Sequence, residues 1–473
     1  MPTNADGFKR EKEGIMKKVL PLLFTILLII FTLALVSCGE THEHSYVAVV
    51  TKPTVTEQGY TTYTCECGDS YVDDYTPILV PSEGLEFTLK DDGKSYSITG
   101  IGTCTDTDVI IPNEHNGLPV TSIGYPAFFN CQSLTSIIIS NSVTSIGELA
   151  FSHCRSLSSV EIPNSVTSIG NFAFQSCTSL TSIVIPHSVT SIGDKAFLKC
   201  YSLIEAINKS SLNVVAGSSD YGYVGYYAKQ VITDESQSAI KIVGDYIFYD
   251  DGTDIYLVEY IGKNTEITLP EYDGGKKYEI WNHAFYSCTY LTSVVIGDFA
   301  TSIGIGAFCE CTSLTSVEIP YSVTSIADEA FVDCISLTSI VIPNSVTSIS
   351  DSTFGGCTSL TSIVIPDSVT SIAMEAFAGC ISLTSIVIPN SVTSINDGTF
   401  GSCTSLTSIV IPDSVTSIGM QAFADCISLT SIEYLGTVEQ WNDMEKRGRW
   451  NLRIPATEVV CSNGTVKIHQ YPY

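Results

Sequence analysis

The residues of this chain with the most obvious capacity for chemistry are its 17 cysteines and seven histidines. Eleven of the cysteines recur at steps of 23 residues, in two runs: Cys131, Cys154, Cys177 and Cys200, then Cys288, Cys311, Cys334, Cys357, Cys380, Cys403 and Cys426. A fixed step of this length is typical of a solenoid, in which each repeat forms one coil stacked on its neighbours. We therefore predict that these thiols form a ladder.

The ladder could consist of disulfides or of buried thiols. Adjacent coils at about 4.8 Å are within the Cα–Cα range of a disulfide. However, the Cα–Cβ bonds of stacked coils run parallel, and an odd run of seven cysteines cannot pair completely. We expect buried thiols that act as small hydrophobic side chains. Cys309, which precedes Cys311 by two residues, is the one extra thiol near the ladder.

Four further candidates lie near the N-terminus: His42, His44, Cys65 and Cys67. They resemble a short module of some bacterial surface proteins, in which a histidine, an earlier cysteine and a CxxC pair could hold a metal. Here Val55 stands in place of the early cysteine, and CxxC is shortened to CxC. Tetrahedral zinc takes four ligands, so we predict a small β module without a metal or other cofactor. No histidine has a partner at the spacing of a catalytic motif, and we predict that the chain is not an enzyme.

The repeated phrase itself predicts the coil. In the coil from Cys357 to Gly379, we predict that Leu360, Ile363 and Ile365 point inward. A short strand is predicted over 362–365, followed by a turn at Pro366-Asp367. A second short strand is predicted over 369–372, and a tight or 3-10 turn at 376–377. The apolar side chains of one coil do not offset the entropy lost by its 23 residues, so coils must stack to fold.

This wording, IPxSVTSIGxxAFxxC, resembles the BspA-like class of bacterial leucine-rich repeats over about residues 94–435. The resemblance implies a β-rich leucine-rich-repeat solenoid of 23-residue coils, with short parallel strands and turns. It also implies a surface protein of the adhesin type, which binds host proteins or other cells.

The N-terminus carries an apolar run, 19–36, preceded by Lys17 and Lys18. Its length just suffices for a transmembrane helix, but Leu35-Val36-Ser37-Cys38 matches the bacterial lipobox. We predict a signal peptide with lipobox over residues 1–38 and a lipid attached to Cys38. The chain would then be held at the extracellular face of the bacterial membrane or on the outer surface. Either interpretation exports the rest of the chain.

The remaining residues divide by pattern. We predict a small Cys/His-containing β module at 39–82, a first repeat block with an N-terminal cap at 83–207, an insertion at 208–250, a second repeat block at 251–435 and a C-terminal cap at 436–473. The insertion is predicted because the cysteine register is lost after Leu203 and the following segment is rich in Tyr, Ser and Gly. Trp441, Trp450 and Cys461 are predicted to cover the open end of the core.

The charge of the chain restricts its partners. Fifty acidic residues against 22 basic ones give a formal net charge of −28, and no lysine or arginine lies between Lys277 and Lys446. Such a surface does not attract phosphates, so nucleic acid is excluded as a partner. We expect a monomer.

A candidate binding strip follows from the alternation of side chains along the first strand of each coil. The outward position of L-T-S-I-x-I is occupied by Val295, Glu318, Val341, Val364, Val387, Val410 and Glu433. Four consecutive valines edged by the acidic Glu318 and Glu433 predict an exposed apolar strip that binds a protein partner. The alternative is that valine simply suits a parallel strand. A carbohydrate-binding surface protein and a structural spacer in the envelope remain alternative functions.

Overall fold

The structure is a computed structural model that describes residues 30–31 and 44–469. The lipobox cysteine Cys38, the candidate ligand His42 and most of the predicted signal peptide lie outside these residues. The chain divides into two compact units, with the boundary between Ser238 and Ala239. Within the described ranges, no helix has the length and apolar character needed to span a membrane.

Both units are built from the predicted coils. The prediction of a β-rich leucine-rich-repeat solenoid with coils of about 23 residues, together with a small N-terminal β module, is confirmed. Each regular coil contributes a strand to a first row, at the L-x-x-I-x-I positions, and a strand to a second row, at the V-T-S-I positions. The coil after Cys380 is the exception, since it joins the first row by a single bridge at Val387. Neighbouring strands of a row are parallel and in register, so that Ser339 pairs with Ser362 and Ile349 with Ile372.

The first unit begins with the antiparallel β module, whose strands are Ile30–Phe31, Tyr46–Thr51, Gly59–Cys65 and Ser70–Thr76. A hairpin, Glu86–Leu89 and Tyr96–Gly100, then starts the solenoid, and Glu114–His115 pairs with the next strand. The second row comprises Leu118–Ile123, Ser145–Ile146, Ser168–Ile169 and Ser191–Ile192. The first row comprises Asp108–Ile110, Ser136–Ile138, Ser159–Glu161, Ser182–Ile185, Glu205–Asn208 and Gln230–Ile232.

The segment predicted as an insertion, 208–250, is divided between the two units. Gln230–Ile232 pairs in parallel with Glu205–Asn208 and so adds a strand to the first row of unit 1. Val224 and Ala228 are buried in the core of that unit, and Phe197 N donates to Gly222 O. A short 3-10 helix, Glu235–Gln237, follows. Residues 209–238 thus form an irregular last coil whose core residues do not follow the repeat wording, and residues 239–250 open unit 2.

Unit 2 begins with antiparallel strands Ile240–Val243, Tyr246–Asp250 and Ile255–Tyr260. Its second row continues with Tyr278–Ile280, Ala300–Ile303, Ser325–Ile326, Ser348–Ile349, Ser371–Ile372, Ser394–Ile395, Ser417–Ile418 and Glu445–Lys446. Its first row comprises Glu266–Thr268, Ser293–Val295, Ser316–Glu318, Ser339–Val341, Ser362–Val364, Ser408–Ile411, Ser431–Tyr434 and Glu458–Cys461, and Gly464–Lys467 closes the sheet. One α-helix, Val438–Asp443, lies in the predicted C-terminal cap.

The hairpin that opens unit 2 is held by the buried carboxylate of Asp250. Its Oδ2 accepts from Lys241 Nζ at 2.8 Å and from Tyr272 Oη at 2.9 Å. Burial acts to raise the pKa of Asp250, but the hydrogen bonds from Lys241 and the Gly252 backbone outweigh it and lower that pKa to about 2. The carboxylate therefore stays ionised. It joins the hairpin to Tyr272, which lies in the loop after the strand Glu266–Thr268.

Stacked phenylalanines run along both cores. The centroids of neighbouring rings are 5.1–5.2 Å apart from Phe128 to Phe197. From Phe285 to Phe423 they are 4.8–5.7 Å apart. The predicted tight turns are present as hydrogen-bonded turns, such as the one closed by Cys380 N and Phe377 O at 3.2 Å. Each typically contains two residues with positive φ, such as Glu375 at 55° and Gly379 at 73°. Glycine adopts a positive φ without strain.

Candidate binding surface

The outward valines of the first strand row lie on the surface of unit 2. Ile363 and Ile365 are each 7% exposed, whereas Val364 between them is 71% exposed. Val341 and Val387 are 71% and 73% exposed, and Val410 is half-buried. Val341 pairs with Val364, and Val387 pairs with Val410 through a single bridge. We call Val341, Val364, Val387 and Val410 the valine strip.

Acidic residues lie at both ends of the strip. Glu318 and Glu433 are exposed, and Glu433 is paired with Val410. Beyond Glu433, Val460 on the next strand is 49% exposed at the same outward position. The sequence pattern missed Val460 because it lies in the tail, where the repeat wording has ended. One more exposed valine therefore lies beyond the acidic edge of the valine strip.

Hydroxyl groups line the strip on the side of the preceding turn. Ser339, Ser362, Ser385 and Ser408 are exposed next to the valines. Three of the threonines that precede them donate to the coil before; Thr361 Oγ1, for example, donates to Thr338 O at 3.3 Å. The surface around the strip is therefore polar, and no lysine or arginine lies between Lys277 and Lys446 in the sequence.

A groove of about 500 Å³ adjoins the strip where the strands of three coils enter their turns. Its lining includes Val341, Val364, the prolines Pro343 and Pro366, and Tyr321. Tyr321 is 74% exposed and takes the turn position that Asn344, Asp367, Asn390 and Asp413 take in later coils. Sequence reasoning missed Tyr321. The sequence does mark it, because Tyr321 is the one Phe, Tyr or Trp at a turn position that is polar in the other coils.

The cysteine ladder is a core feature and does not contribute to this surface. From Cys154 onwards its members are buried thiols, as predicted, and Cys131 is partly exposed. Cys380 Sγ donates to Phe354 O at 3.2 Å, and the same bond recurs along the ladder. Burial raises the pKa of Cys380 to about 12 and that of Cys357 well above its ordinary value. A nucleophilic cysteine needs a lowered pKa, so these thiols serve packing.

The N-terminal module brings three of the four candidate metal ligands together. His44 Nδ1, Cys65 Sγ and Cys67 Sγ all lie within 4.8 Å of one another. Pairing of Tyr46 with Cys65 across two strands places His44 beside the cysteines. The spacing of these residues along the sequence did not reveal this proximity.

The chain matches the family described as BspA type leucine rich repeat region, six copies. The matched residues, 103–222, 278–380 and 324–444, together span more than half of the chain. No curated protein sequence is significantly similar to it.

Solved structures of bacterial leucine-rich repeat proteins are similar to this chain. A protein from Bacteroides ovatus is 26% identical, with 78% of this chain and 97% of that chain covered and a TM-score of 0.33. A leucine-rich cell surface protein from Faecalibacterium prausnitzii is 27% identical, with 78% and 98% covered and a TM-score of 0.30. A protein from Eubacterium ventriosum is 24% identical, with 74% and 94% covered and a TM-score of 0.43. On the family match, the chain belongs to the BspA-type leucine-rich repeat family.

Proposed function

We propose that this protein is a cell-surface binding protein whose valine strip and adjoining groove hold a protein partner. The observation that carries the proposal is the row of Val341, Val364 and Val387, each more than 70% exposed, beside a groove of about 500 Å³. An exposed apolar patch edged by polar residues is a common mark of an interaction site. Valine packing alone does not require three such exposed side chains in succession.

Charge indicates the kind of partner. Glu318 and Glu433 edge the strip, Asp367 lines the groove, and no lysine or arginine lies between Lys277 and Lys446. A complementary partner presents an apolar ridge flanked by lysine or arginine. Such charge pairs at the rim speed association and choose between partners. Binding should therefore weaken as salt concentration rises.

Two further observations support a place on the cell surface. A similar protein from Faecalibacterium prausnitzii is described as a cell surface protein. The lipobox Leu35-Val36-Ser37-Cys38 provides an anchor, with the lipid on Cys38 and the repeat units outside the cell. In this arrangement the acidic units reach the partner while the N-terminus remains at the membrane.

The test is the double variant Val364→Lys with Val387→Lys in the full chain. Because both side chains point outwards, the variant should keep its melting temperature to within a few degrees. The wild type and the variant are compared on a panel of immobilised host matrix proteins and bacterial surface glycans. For the protein that the wild type binds, the affinity of the variant should be at least about tenfold lower. The loss is expected because lysine places charge in the apolar contact.

The matched control is Ile335→Lys with Ile381→Lys. These residues are 43% and 44% exposed on the turns that follow their cysteines, outside the strip, and the variant has the same change in charge. Binding by this control should equal that of the wild type. Normal binding by the valine variant would show that the site lies elsewhere, and an unfolded variant would show that the assigned facing is wrong.

A carbohydrate is the second candidate ligand, and Tyr321 is the observation that favours it. Its exposed ring at the groove can stack on the apolar face of a sugar, as aromatic side chains offer a large flat surface. If the panel shows a glycan bound, Tyr321→Ala should abolish that binding while Val364→Lys with Val387→Lys reduces it less. A protein ligand predicts the reverse order.

A further inference from the structure

We propose that His44, Cys65 and Cys67 form a zinc site in the N-terminal β module. The proposal departs from the sequence-based prediction that this module holds no metal. It concerns the first unit and is independent of the valine strip, which lies in the second. Two thiols and an imidazole are the donor types that Zn²⁺ prefers in proteins.

The three ligand atoms are at distances that one ion can bridge. All lie within 4.8 Å of one another, and Cys67 Sγ is 3.2 Å from His44 Nδ1. With Zn–S bonds of about 2.3 Å and Zn–N bonds of about 2.0–2.1 Å, tetrahedral ligands are about 3.6–3.8 Å apart. Adjustments of up to about 1 Å at these side chains would therefore seat the ion.

Strand pairing holds the ligands in place. His44 leads into Tyr46–Thr51, and Tyr46 pairs with Cys65, the last residue of the adjacent antiparallel strand. The chain then turns tightly, since Gly68 N donates to Cys65 O at 2.9 Å and Cys65 N to Asp69 O at 2.8 Å. Gly68 has a φ of +91°, which only glycine adopts without strain. This turn places Cys67 beside His44.

The surroundings of the three ligands also suit a cation. The ring of Tyr46 stacks on His44 with centroids 5.7 Å apart and an interplanar angle of 18°. Tyr46 Oη donates to Asp69 Oδ2 at 2.6 Å, and the same carboxylate oxygen is 3.9 Å from His44 Nδ1. Asp69 therefore adds negative charge next to the site. Cys67 is exposed, so an ion can reach this ligand from the solvent.

Zinc should bind these thiols as thiolates, with release of their protons and no change of oxidation state. The competing possibility is a disulfide between Cys65 and Cys67, which would remove both ligands. The ion would tie the start of one strand to the end of the next. Metal binding should then stabilise the module against unfolding, because the ligands are together only when it is folded.

The test measures zinc bound by the full chain. Protein purified under reducing conditions is incubated with Zn²⁺, desalted and assayed by elemental mass spectrometry, and its fold is checked by circular dichroism. We expect about one zinc ion per chain. Cys67→Ser and His44→Gln should each weaken binding by at least about tenfold, the effect typical of disturbing a metal site. Cys67 is exposed, so its variant should fold.

The matched control is Cys104→Ser, a partly exposed cysteine of the same unit outside the cluster. It should bind zinc like the wild type. Zinc should also protect Cys65 and Cys67 from alkylation until a chelator is added. The proposal is overturned if Cys67→Ser and His44→Gln retain wild-type zinc, if the wild type binds none, or if the two thiols are alkylated equally fast with and without zinc.

Discussion

At the scale of single residues, Glu259 in unit 2 has an unfavourable environment for a charged group. It lies on the strand Ile255–Tyr260, and its Oε2 atom is buried with no hydrogen-bond partner among the described residues. Burial raises the pKa of Glu259 to about 8. The folded protein therefore holds this carboxyl protonated at neutral pH, whereas the unfolded chain ionises it.

This difference predicts how stability depends on pH. The pKa of Glu259 is higher in the folded protein than in the unfolded chain. Its contribution to the free energy of unfolding is therefore fully present below the pKa of Glu259 in the unfolded chain, and it is lost as pH rises through about 8. The free energy of unfolding should fall by about 3–4 kcal/mol between pH 5 and pH 8, at about 1.4 kcal/mol per pH unit. Glu259→Gln should remove most of this dependence in urea titrations.

The control for this measurement is Glu279→Gln on the neighbouring strand. Glu279 is exposed, and its strand pairs with the strand that carries Glu259. Its substitution should leave the slope of stability against pH as in the wild type. If Glu259→Gln shows the wild-type slope, Glu259 is ionised in the folded protein and the assigned burial of its carboxyl is wrong.

At the scale of elements, the C-terminal cap is a short helix that covers the last coil. Thr437 and Gln440 form a reciprocal capping box: Thr437 Oγ1 accepts from Gln440 N at 3.3 Å, and Gln440 Oε1 accepts from Thr437 N at 2.8 Å. The helix places Trp441 against Tyr434 and Trp450, and Trp450 packs on Phe423, the last ring of the stack. The prediction that Trp441, Trp450 and Cys461 cover the core is confirmed.

Removal of the central cap residue should destabilise the unit strongly. Trp441 is 1% exposed, and Trp441→Ala should lower the free energy of unfolding by about 3–5 kcal/mol, as for other large buried aromatics. Thr437→Ala should lower the free energy of unfolding by about 1 kcal/mol, because it removes only the N-cap hydrogen bond of the helix. Asn442→Ala, exposed on the same helix, should change little. Urea unfolding would contradict this role of the cap if Trp441→Ala and Asn442→Ala had equal midpoints.

At the scale of the whole molecule, the chain consists of two units that each have their own core. One core cluster extends from Leu85 to Ala228 and the other from Phe248 to Cys461. Among the described strands, no sheet includes members from both sides of the boundary at Ser238 and Ala239. Each unit therefore holds the contacts that it needs to fold.

We expect the fragment 239–473 to fold alone. It retains the opening hairpin, the Asp250 network and the C-terminal cap, so both ends of its core are covered. Its thermal unfolding should be a single cooperative transition. The control fragment 262–473 lacks the strands Ile240–Val243, Tyr246–Asp250 and Ile255–Tyr260 and should aggregate, because it exposes the first coil. Equal behaviour of the two fragments would show that the hairpin is not a cap.

The sequence by itself determined the coil and the direction of its side chains. The step of 23 residues, the inward Leu360, Ile363 and Ile365 and the outward Val364 all follow from local periodicity. Side chains alternate along a strand wherever it pairs, and identical coils pair in register. For that reason the ladder of buried thiols and the exposed face of the first strand row could be predicted without a structure.

Tertiary structure decided the features that break the repeat. The first part of the segment 208–250 belongs to unit 1 because Val224 and Ala228 are buried in the core of that unit, although the repeat wording does not continue there. The groove at Tyr321 is formed by the turns of three successive coils. His44 reaches Cys65 and Cys67 through a hairpin whose register no local pattern specifies. Contacts between distant residues depend on strand pairing and packing, and a sequence period describes only what is the same in every coil.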